Sequence, residues 1–533
     1  MLLEQACNYF GWPSAEVVLR PPGEGAAACK DSAERRIGAA LKRKFPEITV
    51  EIGILSSTLD TAATVWPQAI VCQFRNGAPA EALQEAHRLA WNFSGSAILI
   101  ILEPHRLTAW SCCQDPEQPE TTRRLCELQD ENTTAVDGSE VQRNVRQMLH
   151  WVSLVTGDII RRNPDSFPAN GRADRLLLKN LRYVRRELIA SGLAADYCHD
   201  LLARVIFTQF LFHRKDLSGN PFFSKTLLSR LVTENVLRKP HEDLGSILSS
   251  KEDTYSLFLW MDDRFNGDLF PGKEGSDGVK SEAAWKAEKN AVTKQHLKYL
   301  SELVSGTIDT TDRQLRLWPQ YSFDTIPLEF ISSVYEEFLN ESRDENKAYY
   351  TPPLLVDYVL DAVLPWDGSE WNLRILDPSC GSGIFLVKAF QRLIYRWRRQ
   401  HDRDPLVSDL KPILANNLVG VDINQDAVRV ACFSLYLAMA DAIDPRHYVT
   451  REKVFPPLRD TRLLRADFFD EALEGIRTDE DAQTFDLVIG NAPWGDKSVK
   501  NTSELVEVST QKTSSTKKKK GPPTKAQAWA KGR

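Results

Sequence analysis

The sequence predicts an α/β protein whose parallel sheet lies late in the chain, behind a helical region and a small N-terminal α/β domain. Three observations carry this. Short apolar runs at 373–376 (LRIL), 418–423 (LVGVDI) and 485–489 (FDLVI) alternate with helical patterns and run into polar or Gly-bearing loops, as buried parallel strands do. From about 140 to 345 the periodicity is helical. Between 48 and 111, four Ile-, Val- and Leu-rich stretches suit short strands.

Taken in order, residues 1–135 form the small α/β domain. Its strands are expected at 48–55, 69–74, 97–103 and 107–111, with an amphipathic helix over 78–93 bearing Leu83, Ala86, Leu89 and Ala90 on one face. Position and topology are comparable to nuclease domains that carry an acid followed by an ExK triplet. Here the second strand ends Gln73-Phe74-Arg75, where metal binding wants a carboxylate, and Glu34 and Asp60 lack that partner. A degenerate or structural domain is expected. The helical domain, 140–345, includes a helix apolar nearly all round (Leu201, Val205, Phe207, Leu211, Phe212), which implies burial. His213 at its polar end is read as a cation favoured by a helix C-terminus rather than as a catalytic group. The Gly-rich stretch 266–280 reads as a charged loop.

Composition narrows the function classes. Net charge is −6, yet the last 23 residues carry seven Lys and one Arg and no acid, leaving 59 basic against 73 acidic residues before them. A body that acidic is not a general coat for nucleic acid, so contacts must come from local basic surfaces. Nine cysteines without a CxxC pair argue for a reducing cytoplasm and against a disulfide framework or zinc site; no metal is expected. The first residues do not read as a signal peptide, and no apolar run reaches membrane-spanning length, so no membrane partner is expected.

The chemistry concentrates at the three late strand ends, over 346–495. The first runs into Asp377-Pro378-Ser379-Cys380-Gly381-Ser382-Gly383, where two glycines let backbone approach a ligand and the next helix aims its amides at it. A tight turn explains a lone GxG equally well. The second ends at Asp422, which suits a ribose or, alternatively, caps the helix over 425–440. The spacing from Asp377 to Asp422 is too long for a dinucleotide fingerprint of about 20 residues, which argues for another nucleoside ligand. After the third strand, Asn491, the Ala492 carbonyl and Trp494, separated by Pro493, can accept both hydrogens of a planar amine and stack on its ring; a Pro-containing turn is the alternative. Cys380 is read as a packing residue.

Together these stretches resemble the γ class of adenine-N6 DNA methyltransferases. Asp377 to Leu386 resembles motif I (DPxxGxGxFL), Asn491 to Trp494 resembles motif IV (NPPY, NPPF or NPPW), and Ala348 to Pro352 resembles the preceding YYTP element. The stretch 317–339, read as helical, is similar to type I modification subunits and fused type IIG enzymes. The resemblance implies a Rossmann-like, S-adenosylmethionine (SAM)-dependent sheet, C-terminally incomplete, with double-stranded DNA as partner in a bacterial restriction–modification or phage-defence setting. It implies that Tyr350, Thr351 and Pro352 flank the cofactor's methionine part, with Asp377, Pro378, Gly381 and Gly383 forming its loop. Asp422 would hold the ribose, and Asp467, with Phe468, the adenine. Asp467 capping the next segment is the alternative. Asn491, Ala492, Pro493 and Trp494 would engage a target adenine swung out of the duplex. Motif IV departs from the family at Ala492, usually proline; the carbonyl stays, the fixed φ is lost, and weaker preorganisation is expected.

Asn-Pro-Pro-aromatic chemistry also serves protein-glutamine and some RNA methyltransferases, which are generally shorter and lack the helical region ending in YYTP. Beyond motif IV the class continues through more strands and a target-recognition domain. Here 496–533 is a Lys-, Ser- and Thr-rich stretch ending at Arg533. Two readings follow: a methyltransferase completed by a specificity or C-terminal partner chain, or a catalytically incomplete SAM-binding or interaction subunit.

Overall fold

The computed structural model describes residues 1–57, 63–129, 140–216, 218–265, 269, 282–306, 321–326, 351–449, 453–470, 473, 476 and 484–492. The first sheet has five strands in sequence order: β1 (Val50–Leu55), β2 (Ala69–Phe74), β3 (Ile98–Glu103), β4 (Arg106–Ser111) and β5 (Arg124–Gln129). Only the β2–β3 pair is parallel, and the chain between them forms helix α1 (Ala80–Phe93). Alternation decides what each face meets. Val71, Ile98, Ile100 and Leu102 pack with Leu3, Phe10 and the later Val145 and Leu149. Ile70, Cys72, Phe74, Leu99 and Ile101 face Ala86, Leu89 and Ala90 of α1 and Ile37 and Leu41. Strand β5 was not anticipated; its mixed charged composition, RLCELQ, reads as loop.

The helical region is organised by α2 (Ala173–Ala190) and α3 (Ala195–His213). Nearly every α3 residue from Cys198 to Leu211 is buried, as its all-round apolar pattern requires. A buried ion pair sits inside: Arg204 makes two bonds to Glu288, at 2.7 and 2.6 Å, and Tyr255 donates to the same carboxylate at 2.9 Å. His213 is not the expected cation. Its Nδ1 accepts the Phe323 N–H at 3.1 Å, and burial lowers its pKa, so the neutral ring fastens 321–326 to the end of α3. Those residues are a turn, not the helix expected over 317–339. The Ser322 N–H goes to Asn92 Oδ1 and the Phe323 N–H to His213, so side chains have taken donors a helix would use internally. The rest of that stretch, the charged loop apart from Leu269, and 496–533 lie outside the described residues.

The second sheet is parallel throughout: β6 (Ile375–Asp377), β7 (Leu418–Asp422), β8 (Leu463–Arg465) and β9 (Leu487–Val488), in the order β8-β7-β6-β9. Helix α4 (Pro353–Val363) precedes it; α5 (Ile384–His401) follows β6 and α6 (Gln425–Ala442) follows β7. The strand order reverses at β6, where β9 adds on the other side; crevices outside carboxyl ends open at such points. The α2–α3 region and this sheet share one apolar core. Among the described residues no helix is long and apolar enough to cross a membrane.

Candidate active site

The turn after β6 is built by hydrogen bonds that pull it toward β7. The Ser379 N–H donates to Asp377 Oδ1 at 3.1 Å and the Cys380 N–H to the Val421 carbonyl at 2.9 Å. Gly381 and Gly383 have φ of +52° and +82°, which L side chains rarely adopt. Their surroundings differ. A Cβ on Gly383 would lie 2.9 Å from the Ala431 Cβ, so this glycine lets α5 pack on α6; a Cβ on Gly381 would meet nothing within 4 Å. Gly381 therefore borders free space at the N-terminus of α5, where unpaired amides favour an anion. Cys380 is buried and its thiol is pushed well above its ordinary range, first by burial, which suits packing.

Two acids stand at neighbouring strand ends. Asp422 Oδ2 accepts the Gly381 N–H at 3.0 Å and Oδ1 the Asn424 N–H at 2.8 Å. Asn424, not Asp422, caps α6, its side chain accepting the Asp426 N–H at 2.9 Å. Burial pushes the Asp377 carboxyl up to about 7, with the charge of Asp422 adding to the rise and the Ser379 N–H opposing it. Burial also raises Asp422, against the two amide bonds. Neither acid has a cationic partner among the described residues.

The third strand end closes over the first. A Cβ on Gly490, just after β9, would overlap the Asp377 carboxylate, so glycine there lets the chain pass close to it without displacing that side chain. The Ser379 hydroxyl donates to the Asn491 carbonyl at 3.0 Å, and Asn491 Nδ2 donates to Thr351 Oγ1 at 3.1 Å. Thr351, Asp377, Gly381, Asp422 and Asn491 are thus joined through hydrogen bonds and the turn they share. Pro378 lies within that turn, Pro352 is exposed at the start of α4, and Ala492 is exposed beside Asn491. The Ala466 N–H donates to the Asp422 carbonyl at 3.1 Å, which brings Asp467 to the same sheet edge. Asp467 is exposed and accepts the Phe469 N–H at 3.0 Å, the capping role weighed as its alternative; Phe468 packs beside Leu376, Val419 and Val421. Tyr350, Pro493 and Trp494 lie outside the described residues. Ser379, Asn424 and Gly490 were not singled out from sequence, although all three adjoin residues that were.

The corresponding positions of the first sheet are filled differently. Gln73 is buried, accepts the Leu3 N–H at 2.7 Å and donates to Glu51 Oε2 at 2.6 Å; Arg75 holds both oxygens of Glu51. Glu34 pairs with Lys42 at 2.9 Å. Asp60 lies outside the described residues, among which no His, Cys, Asp and Glu group could hold a metal.

Residues 416–524 match the family model described as Eco57I restriction-modification methylase. The chain is 24% identical over 247 residues to the putative type II restriction enzyme and methyltransferase RM.MjaORFECS2P of Methanocaldococcus jannaschii, covering 36% of this chain and 20% of that protein. It is 29% identical over 112 residues to the adenine-specific methyltransferase PglX of Streptomyces coelicolor, covering 20% of this chain and 9% of that one. Among solved structures, the type IIL restriction–modification enzyme MmeI in complex with DNA aligns at a TM-score of 0.34 and 16% identity, over 55% of this chain and 40% of that one. The chain is similar to adenine-specific restriction–modification methyltransferases, and the matches to both curated relatives span no more than a fifth of their length.

Proposed function

We propose that this chain is the cofactor-binding and catalytic part of a DNA methyltransferase that transfers a methyl group from SAM to adenine N6 in a restriction–modification or phage-defence system. The observation that carries the reading is the convergence of Asp377, Gly381, Asp422 and Asn491 at one carboxyl edge, in a chain that matches a restriction–modification methylase family. The site suits SAM in charge and shape. Gly381 borders free space, and among the described residues the Asp422 carboxylate meets backbone amides but no cation, which leaves it acceptor capacity for ribose hydroxyls. Thr351, Pro352, Asp377, Pro378, Gly381, Gly383, Asp422, Asp467 and Phe468, with Tyr350, would hold the cofactor, which when bound supplies an electrophilic methyl on a sulfonium.

The chain's own residues act on the amine. Asn491 Oδ1 and the Ala492 carbonyl accept its two hydrogens, which turns the nitrogen lone pair out of the ring plane; Trp494, after Pro493, stacks on the ring. Duplex DNA must release the base from its stack first. A partner chain carrying sequence recognition completes the assembly.

The test is transfer of label from SAM to adenine-containing duplex by the full chain, alone and with the product of the neighbouring reading frame. Asn491→Ala is expected to abolish transfer, a loss of at least about a hundredfold if it acts like an oxyanion donor, while SAM binding by calorimetry is unchanged. Turnover retained in that variant, or no transfer by the parent under either condition, would sink the proposal.

A further inference from the structure

The side chain of Asn491 is held by a residue 140 positions earlier: its Nδ2 donates to Thr351 Oγ1 at 3.1 Å. We propose that Thr351 is a positioning residue that holds the Asn491 amide with its nitrogen toward Thr351 and its oxygen toward the target amine. The inference rests on the reading of the site given above.

An amide side chain carries a donor and an acceptor that diverge from one planar carbon, and a half-turn of that plane exchanges them. A target amine offers hydrogens, so only the oxygen orientation is productive; the flipped amide would set donor against donor. With the nitrogen committed to Thr351, the oxygen is directed away from it. The backbone of Asn491 is fixed separately by the bond from Ser379 Oγ to its carbonyl, so main chain and side chain have independent restraints. Thr351 is itself well held. It is buried at the start of α4, and the far half of that helix is fastened through Asp361, which accepts the Thr64 N–H at 2.9 Å and Arg392 Nη2 at 2.7 Å. A rigid support of this kind is what keeps a reacting constellation in place.

Thr351→Val keeps the shape and removes the acceptor; Thr351→Ser keeps the acceptor. In the transfer assay, valine should lower kcat about tenfold, the size of one neutral hydrogen bond, a larger factor than any rise in KM for SAM or DNA, and serine should restore kcat. A rise in KM for SAM at unchanged kcat would overturn the inference and leave Thr351 a cofactor ligand. A second arm needs no turnover. In chain labelled with 15N-asparagine, the side-chain NH2 pair assigned by its loss in Asn491→Asp should shift in Thr351→Val and stay in place in Thr351→Ser. An unmoved pair in the valine variant overturns the contact itself. Inactive parent protein refutes the adenine reading, and the spectra still decide whether Thr351 holds Asn491.

Discussion

The two sheets carry polar side chains at their strands and treat them in opposite ways. In the first, Glu51, Gln73 and Arg75 satisfy one another, and the Arg75 hydrogen bonds hold the Glu51 carboxyl below its usual range, with Gln73 assisting against a burial penalty. In the second, Asp377 and Asp422 receive only backbone N–H bonds among the described residues, and burial raises both. The difference lies in depth as well as in partners, since the Glu51 side chain is 33% exposed whereas Asp377 is 1% exposed. A closed set of charges is a structural joint. Acids kept buried without a cation leave free energy unrecovered in the absence of a ligand, which is where strained electrostatics mark a site.

The largest expected effect follows from Asp377. Its folded carboxyl titrates at about 7, above its ordinary value of 3.8, so the folded state holds the proton more tightly than the unfolded one. The stability it contributes is full below about pH 4 and is lost as pH rises through about 7, a swing of roughly 4 kcal/mol at most. Asp377→Asn removes the swing. Urea melts should show the variant little changed at pH 4.5 and more stable than the parent by a few kcal/mol at pH 8, even as SAM binding weakens. A difference independent of pH would break the contrast, because Glu51, with its depressed pKa, predicts the opposite slope: stability present above its unfolded pKa and lost on acidification.

How much of this was legible depends on how local each signal is. The glycine turn and Asp422 follow apolar strands directly, so pattern alone placed them; that Asn424 rather than Asp422 caps the next helix needed the geometry. Strand β8 has three residues, too few for a period, and Asp467 was reached only through resemblance. The Thr351–Asn491 bond joins residues with no shared local pattern. The turn at 321–326 shows the converse: a helical pattern overridden by side chains of Asn92 and His213 brought in from elsewhere.

A middle-sized effect belongs to the closed joint. Gln73→Leu fills the same space, but it strands the Leu3 N–H and one contact of Glu51. An orphaned buried donor costs about 1–3 kcal/mol, so the midpoint of unfolding should fall while SAM affinity stays that of the parent. A loss of SAM binding in this variant would mean that the first sheet supports the second site through the contacts of α4 and α5 with Thr64, and the two sheets could no longer be treated as separate cases.

The smallest effect should come from Arg75→Ala. The guanidinium makes two bonds to Glu51, at 2.8 and 3.2 Å, a geometry that looks strong on paper. Its side chain is 53% exposed, however, so water and salt replace most of what the ion pair supplies, and Gln73 still holds Glu51 Oε2 from the buried side. Thermal melts of variant and parent should therefore coincide in 0.15 M salt, separating slightly only at low ionic strength, where Debye screening weakens. If Arg75→Ala instead destabilised as much as Gln73→Leu, the three side chains would be a cooperative network. The contrast between the sheets would then rest on coupling between partners rather than on whether a buried polar group has one.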